Sequence, residues 1–183
     1  MSYTTTTEET KQHEESKFIA PGIHEVKITK IEAVEPEGKA PYLNLTFENT
    51  KGQTTDDKLY FSPAATELSQ KTLGDIKKAL GVEKEVQGDK LADFAKNLSK
   101  VILNKQFRHR FTGEEIQGKM GDDGIQKKNW FKAKMGRRFS CESISTNPSR
   151  LKPLDKTNQY DWKTLPTADV IEAKPSIDSD LPF

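Results

Sequence analysis

Short stretches in which apolar and polar residues alternate constrain this chain more than any other feature of its sequence. In residues 42–48 every second side chain is apolar and falls on one face of an extended strand. Residues 23–34 begin in the same way, but the period breaks at Ile31 and Val34, which predicts a bulge or a bend. Three further strands are predicted, over residues 54–61, 101–111 and 128–135.

The period between the third and fourth predicted strands is that of a helix. Thr72 is predicted to cap a short helix that stops at Gly81, and Asp89 to cap a second one. Each helix carries one narrow apolar stripe, which indicates packing against a core. The order predicts a mainly β fold with inserted helices, a five-stranded Greek-key barrel of the OB-fold type. A small sandwich or an SH3-like barrel fits the same pattern.

Composition sets the expected size of the folded part. Of the 183 residues, 33% are hydrophobic and 31% are charged. These apolar residues are enough for a core only if part of the chain lies outside the folded domain. Residues 1–17 are predicted to be a flexible N-terminal arm and residues 18–144 the folded domain. Residues 145–183, polar and punctuated by proline, are predicted to be a flexible tail.

Several classes of protein are not expected. The single cysteine, Cys141, excludes an internal disulfide, and three scattered histidines do not have the spacing of a metal site, so no metal or cofactor is expected. The sequence has no membrane-spanning apolar run, and residues 1–17 do not have the pattern expected of a signal peptide, so we expect a cytoplasmic protein.

Charge is segregated along the chain although its formal net charge is only +1. Residues 101–140 hold ten basic and four acidic residues, a net charge of +6, whereas the first forty residues have a net charge of −3. Such clustering is typical of a protein that binds a polyanion.

Aromatic residues are interleaved with this positive charge. Strand alternation places Trp130, Lys132 and Lys134 on one face and assigns Phe131 to the core. An indole beside ammonium groups suits an unpaired base and its phosphates. A solvated basic face, with Trp130 filling a barrel end, is the alternative. Candidate nucleic-acid contacts are Trp130, Lys132, Lys134, Lys128, Arg108, Arg110, Lys105, Arg137, Arg138, Tyr42 and Tyr60.

No motif of a known catalytic site occurs, and we expect a protein that is not an enzyme. The acidic pairs Asp56–Asp57 and Asp122–Asp123 leave a metal-dependent nuclease as an alternative. Adjacent carboxylates in loops rarely bind the same ion, which disfavours a nuclease.

The chain ends in an acidic, apolar tip, in which the terminal phenyl ring and carboxylate suit an apolar pocket rimmed by basic residues. The predicted partner-binding residues are Asp178, Asp180, Leu181, Pro182 and Phe183. This ending resembles the C-terminal tip of bacterial and phage single-stranded DNA-binding proteins, and the domain layout resembles that of phage-encoded members.

The resemblance implies an OB-fold protein that coats and protects single-stranded DNA during replication, recombination or repair. It also implies that the tip recruits other proteins of those processes, in the host cytoplasm if the protein is viral. The two-acid tip and the tail, which is not rich in glycine and glutamine, depart from the bacterial type, which puts a tetramer in doubt. The basic, aromatic face alone also fits an RNA-binding, cold-shock-like module or an adaptor for an acidic protein.

Overall fold

The computed structural model describes residues 16–166 of the chain. The predicted tip, and the predicted N-terminal arm except for residues 16 and 17, lie outside the described residues. Between residues 16 and 166, no helix has the length and apolar character needed to cross a membrane.

Nine helices and strands make up the described part of the chain. They are β1 (Gly22–Val34), β2 (Tyr42–Asn49), β3 (Thr54–Tyr60), α1 (Thr66–Ala79), α2 (Leu91–Ile102), β4 (Gln106–Ile116), β5 (Trp130–Met135), β6 (Cys141–Glu142) and β7 (Trp162–Lys163). The strands form one mixed sheet in the order β3-β2-β1-β4-β5, with β6 and β7 both paired to β4. The predicted mainly β class, with two helices between the third and fourth strands, is confirmed. The predicted closed barrel is not confirmed, because this sheet is open.

Strand β1 organises the sheet because it pairs with both β2 and β4. Its pairing with β2 shifts register between Ile28 and Lys30, so the predicted irregularity is present. Such a bulge bends the strand and increases its local twist.

Both helices begin at positions other than those predicted. Helix α1 begins at Thr66, and Thr72 lies buried in its interior, where its hydroxyl donates to the carbonyl of Leu68. Helix α2 follows Lys90 and has no side-chain cap from Asp89. It also continues to Ile102, which is buried, so β4 begins five residues later than predicted.

The core lies between the inner face of the sheet and the two helices. The sheet contributes Phe47, Phe107 and Phe111, and the helices contribute Ile76 and Leu98, all fully buried. His109 is also fully buried, its ring 4.6 Å from that of Phe111, and neither ring nitrogen has a hydrogen-bond partner. Burial lowers the pKa of His109 to about 3, against an opposing effect of Asp57.

Side chains, not a backbone ladder, connect the two edge strands β3 and β5. The buried carboxylate of Asp57 accepts hydrogen bonds from the amide of Met135 and the ammonium of Lys134, both at 2.8 Å. The Thr55 hydroxyl donates to the carbonyl of Ala133 at 3.1 Å. These bonds satisfy backbone groups of β5 that face the open edge of the sheet.

Residues 145–166, which lie beyond the predicted boundary at residue 144, pack on the domain. The short strand β7 pairs in parallel with β4, and the amide of Gly113 donates to the carbonyl of Asp161 at 2.7 Å. Gly113 is needed there, because a Cβ would lie 2.6 Å from the ring of Trp162. Long-range contacts of this kind have no local period, which explains why the sequence pattern did not predict them.

Candidate nucleic-acid interface

Trp130 begins β5 and stays accessible, with 42% of its surface exposed. The ring of Phe18 stacks on it, with centroids 5.9 Å apart and planes inclined by 25°. Phe18 itself is 58% exposed. Two aromatic rings of different segments therefore form one accessible platform at the start of β5.

Phe18 was not among the predicted contacts. Its segment is attached to the start of β3, because the amide of Ile19 donates to the carbonyl of Thr54 and the amide of Thr54 donates to the carbonyl of Lys17, both at 3.0 Å. Ile19 is buried in the core and fixes the segment. No local pattern identifies Phe18, because its role depends on a strand more than 100 residues away.

Phe131 does not lie in the core as predicted. It is 37% exposed and packs edge-on against the ring of Trp162, at a centroid distance of 5.0 Å. Ala133 and Met135, which alternate with the lysines of β5, are buried as expected. The alternation fails only at the beginning of β5, where Phe131 packs against Trp162 of the C-terminal segment and not against the core.

A loop that carries three lysines and two aspartates precedes the platform. Residues 117–129 connect β4 to β5, and Lys119, Lys127 and Lys128 are exposed on this loop. None of the three forms an ion pair with another described residue. Their charge is therefore available for a polyanion close to Trp130.

The lysines of β5 are partly neutralised by neighbouring acids. Lys132 lies 3.7 Å from Asp56, and Lys134 lies 2.8 Å from Asp57 and 3.7 Å from Glu114. Both lysines remain on the outer face, about 30% exposed. We expect them to contribute less to binding a polyanion than the loop lysines do.

A second aromatic pair lies on the outer face of β2 and β3. Tyr42 and Tyr60 are opposite each other in the ladder, with ring centroids 5.4 Å apart, and Tyr60 is 41% exposed. The ammonium of Lys58 lies 4.6 Å from the centre of the Tyr42 ring. This arrangement again joins an accessible ring to a cation that no described carboxylate neutralises.

The two aromatic pairs lie at opposite ends of β3. The Phe18 segment contacts Thr54, and Tyr60 is six residues further along the strand, a distance of about 20 Å at the usual rise per residue. Lys58 and the Lys132–Asp56 pair lie between these ends. The outer surface along β3 thus presents aromatic rings at both ends and cations between them.

Arg108 and Arg110 were predicted to contact phosphates, which would require their guanidinium groups to face solvent. In the structure they do not face solvent. The Arg108 guanidinium lies 2.6 Å from Glu142 and donates to the carbonyl of Thr146, while that of Arg110 lies 2.6 Å from Asp161 and donates to the carbonyl of Lys152. Both side chains are less than 20% exposed. They anchor the C-terminal segment on β4, and this occupies the donors that phosphates would need.

The acids of these ion pairs stay ionised. Desolvation opposes ionisation of Glu142, but hydrogen bonds from Ser149, Arg108 and the Arg150 amide outweigh it and lower the pKa of Glu142. The pKa of Asp161 is likewise lowered, by the Asp155 amide and Arg110 against desolvation. A hydrogen bond to Glu142 raises the pKa of Arg108.

The remaining predicted basic contacts are dispersed. Lys105 is exposed at the turn between α2 and β4, and the guanidinium of Arg137 donates to the carbonyl of Lys58. Arg138 lies 2.9 Å from Asp75 of α1 and 4.9 Å from the ring centre of Phe139. Of these, only Arg137 is placed beside the aromatic residues of β2 and β3.

The acidic pairs do not assemble into a metal site in the described part of the chain. Asp56 and Asp57 lie on β3, not in a loop, and alternate between its outer and inner faces. Among residues 16–166, no three His, Cys, Asp or Glu side chains are grouped as ligands of one ion.

No model of a protein family matches the chain, and a search of curated proteins finds no match.

Proposed function

We propose that this protein binds single-stranded DNA through the outer face along β3 and β5, and that its domain is an OB-fold-like Greek-key barrel. The layout supports the fold, since β1 pairs with both β2 and β4, helices follow β3, and side chains connect β3 to β5. OB-folds use this outer surface and its loops for oligonucleotides.

The observation that carries the proposal is the exposed Trp130. A half-exposed tryptophan contributes less to folding than a buried one, but it offers a flat ring for an unpaired base, worth about 1–3 kcal/mol. Lys127 and Lys128 precede it directly and can bind the adjoining phosphates.

The proposed role is not catalytic. The protein coats and protects single-stranded DNA without strong sequence preference during replication, recombination or repair, in the cytoplasm of the host if it is viral. The tip residues Asp178 to Phe183 recruit partner proteins of those processes, which the sequence resemblance supports.

Fluorescence of Trp130 provides the test. In a W162F background only Trp130 reports, and we expect its emission to be quenched when oligothymidine is added. W130A should lower affinity by between about 5-fold and 150-fold while leaving the circular dichroism spectrum unchanged. Absence of quenching, or tighter binding to duplex than to oligothymidine, would contradict the proposal.

An RNA-binding module is the second candidate, because aromatic platforms stack ribonucleotide bases equally well. Competition of poly(dT) against poly(U) for the labelled complex separates the two. Preference for poly(U) would replace DNA with RNA as the ligand and leave the site assignment in place.

A further inference from the structure

The stacked rings of Phe18 and Trp130 differ from an ordinary core contact. Both are large apolar side chains, yet 58% and 42% of their surfaces remain exposed. Their contact, with centroids 5.9 Å apart and planes inclined by 25°, lies near the middle of the range of about 4.5–7 Å for aromatic pairs. Packing of the core does not require either ring at this place.

The two rings are carried by separate parts of the chain. Phe18 belongs to the short segment paired with Thr54 of β3, and its amide also lies 3.2 Å from the hydroxyl of Ser16. Trp130 belongs to β5, which pairs with β4 at this point. The gap between the rings can therefore change without breaking a backbone hydrogen bond between two named strands.

The two rings must move apart to admit a base. A planar base between two rings requires about 3.5 Å of contact distance on each side, or about 7 Å between the ring planes. The ring centroids are 5.9 Å apart and the planes are inclined by 25°, so the planes of this stack lie closer together than that. The Phe18 side chain has two rotatable bonds and is mostly exposed, so its rotation can open the space.

We propose that Phe18 and Trp130 form an aromatic clip that holds one unpaired base between them, an inference that rests on the proposed binding of single-stranded DNA. The clip accepts a purine or a pyrimidine because both have two flat faces. It excludes paired bases, whose faces are covered by their neighbours in the duplex. The clip thus supplies selectivity for single strands, while the lysines supply attraction to any phosphate backbone.

The test compares F18A with the full-length wild type on two ligands, oligothymidine and an abasic oligonucleotide of the same length. We expect F18A to bind oligothymidine between about 5-fold and 150-fold more weakly and the abasic oligonucleotide equally well. F18Y, which keeps a ring, should restore binding. F139A is the control, since Phe139 is a phenylalanine even more exposed than Phe18 and lies on the turn beside Asp75 of α1, and it should bind like wild type.

Each other outcome has a defined meaning. If wild type does not bind oligothymidine, the proposed function is wrong. If wild type binds but F18A binds equally well, or more tightly because Phe18 shields Trp130, the clip is wrong and the proposed function stands. If F18A loses affinity for both ligands equally, Phe18 acts through the conformation of its own segment and not by contacting a base, which also overturns the clip.

Discussion

Replacing His109 with leucine should stabilise the protein, which tests the most unusual feature of its core. The imidazole is fully buried among Phe47, Phe107 and Phe111, and neither nitrogen has a hydrogen-bond partner. Burying a polar group without a partner costs about 1–3 kcal/mol. Leucine has a similar volume and no polar atom, so H109L should raise the free energy of unfolding at pH 7 by about that amount.

The same residue should make the protein sensitive to acid. Folded His109 has a pKa of about 3, whereas a histidine in the unfolded chain has a pKa of about 6.5. Between these values only the unfolded state takes up the proton, so stability is fully present above pH 6.5 and falls as the pH is lowered. From pH 7 to pH 5 this one group should remove about 2 kcal/mol of stability.

Urea denaturation followed by circular dichroism at pH 7 and pH 5 measures both effects. Wild type should lose about 2 kcal/mol more than H109L between the two pH values. F107L is the control, because it alters the same aromatic cluster without removing a titrating group. It should be less stable than wild type at both pH values and keep the wild-type loss on acidification. An equal loss for wild type and H109L, or destabilisation by H109L at pH 7, would refute the reasoning.

Four further changes test other parts of the structure. The double variant K127E/K128E should weaken binding to oligothymidine and make the slope of log K against log salt less negative, by about 1.4 for two phosphate contacts; an unchanged slope removes the loop from the interface. D161N should release residues 145–166 from β4 and cost about 1–3 kcal/mol, seen as cleavage of that segment in limited proteolysis, and persistent protection there would contradict the anchoring role. Deletion of residues 178–183 should leave affinity for oligothymidine unchanged or slightly higher and abolish pull-down of replication or repair proteins, whereas a severalfold loss of affinity with partners retained would make the tip part of the DNA site. F139N should raise the free energy of unfolding by about 1 kcal/mol, because Phe139 has a φ of 57°, which asparagine tolerates better; a lower melting temperature would show that the phenyl ring stabilises the turn.

Short-range patterns predicted the strands β1 to β5 but not the two-residue strands β6 and β7. Alternation located β2 within one residue, and the broken period in β1 corresponds to the register shift beside Lys30. The pattern was less informative where two elements meet, as at Ile102, whose apolar side chain completes α2 and not the following strand. Periodicity identifies buried faces but does not say which type of element continues through a junction.

The candidate site was only partly predictable, because exposure depends on distant segments. Trp130 was predicted as a nucleic-acid contact from the alternation of its own strand, and it is accessible. Phe18 stacks on it, but no sequence pattern identified Phe18 as a contact. Arg108 and Arg110 carry the charge and spacing of phosphate contacts, yet acids 34 and 51 residues further along the chain bind them. Charge density in a sequence therefore overestimates the charge that the folded surface offers.

The attachment of residues 145–166 to β4 limits how far the end of the chain can extend from the domain. Phe183 is the 17th residue after Pro166, which allows at most about 60 Å of extended chain between them. A tether beginning at residue 145 would allow more than twice that length. The Arg110–Asp161 ion pair therefore fixes the point on the domain from which this tether starts. Under the proposed function, a partner bound by the tip would act on DNA held by this molecule or its immediate neighbour, not on a distant site along the same strand.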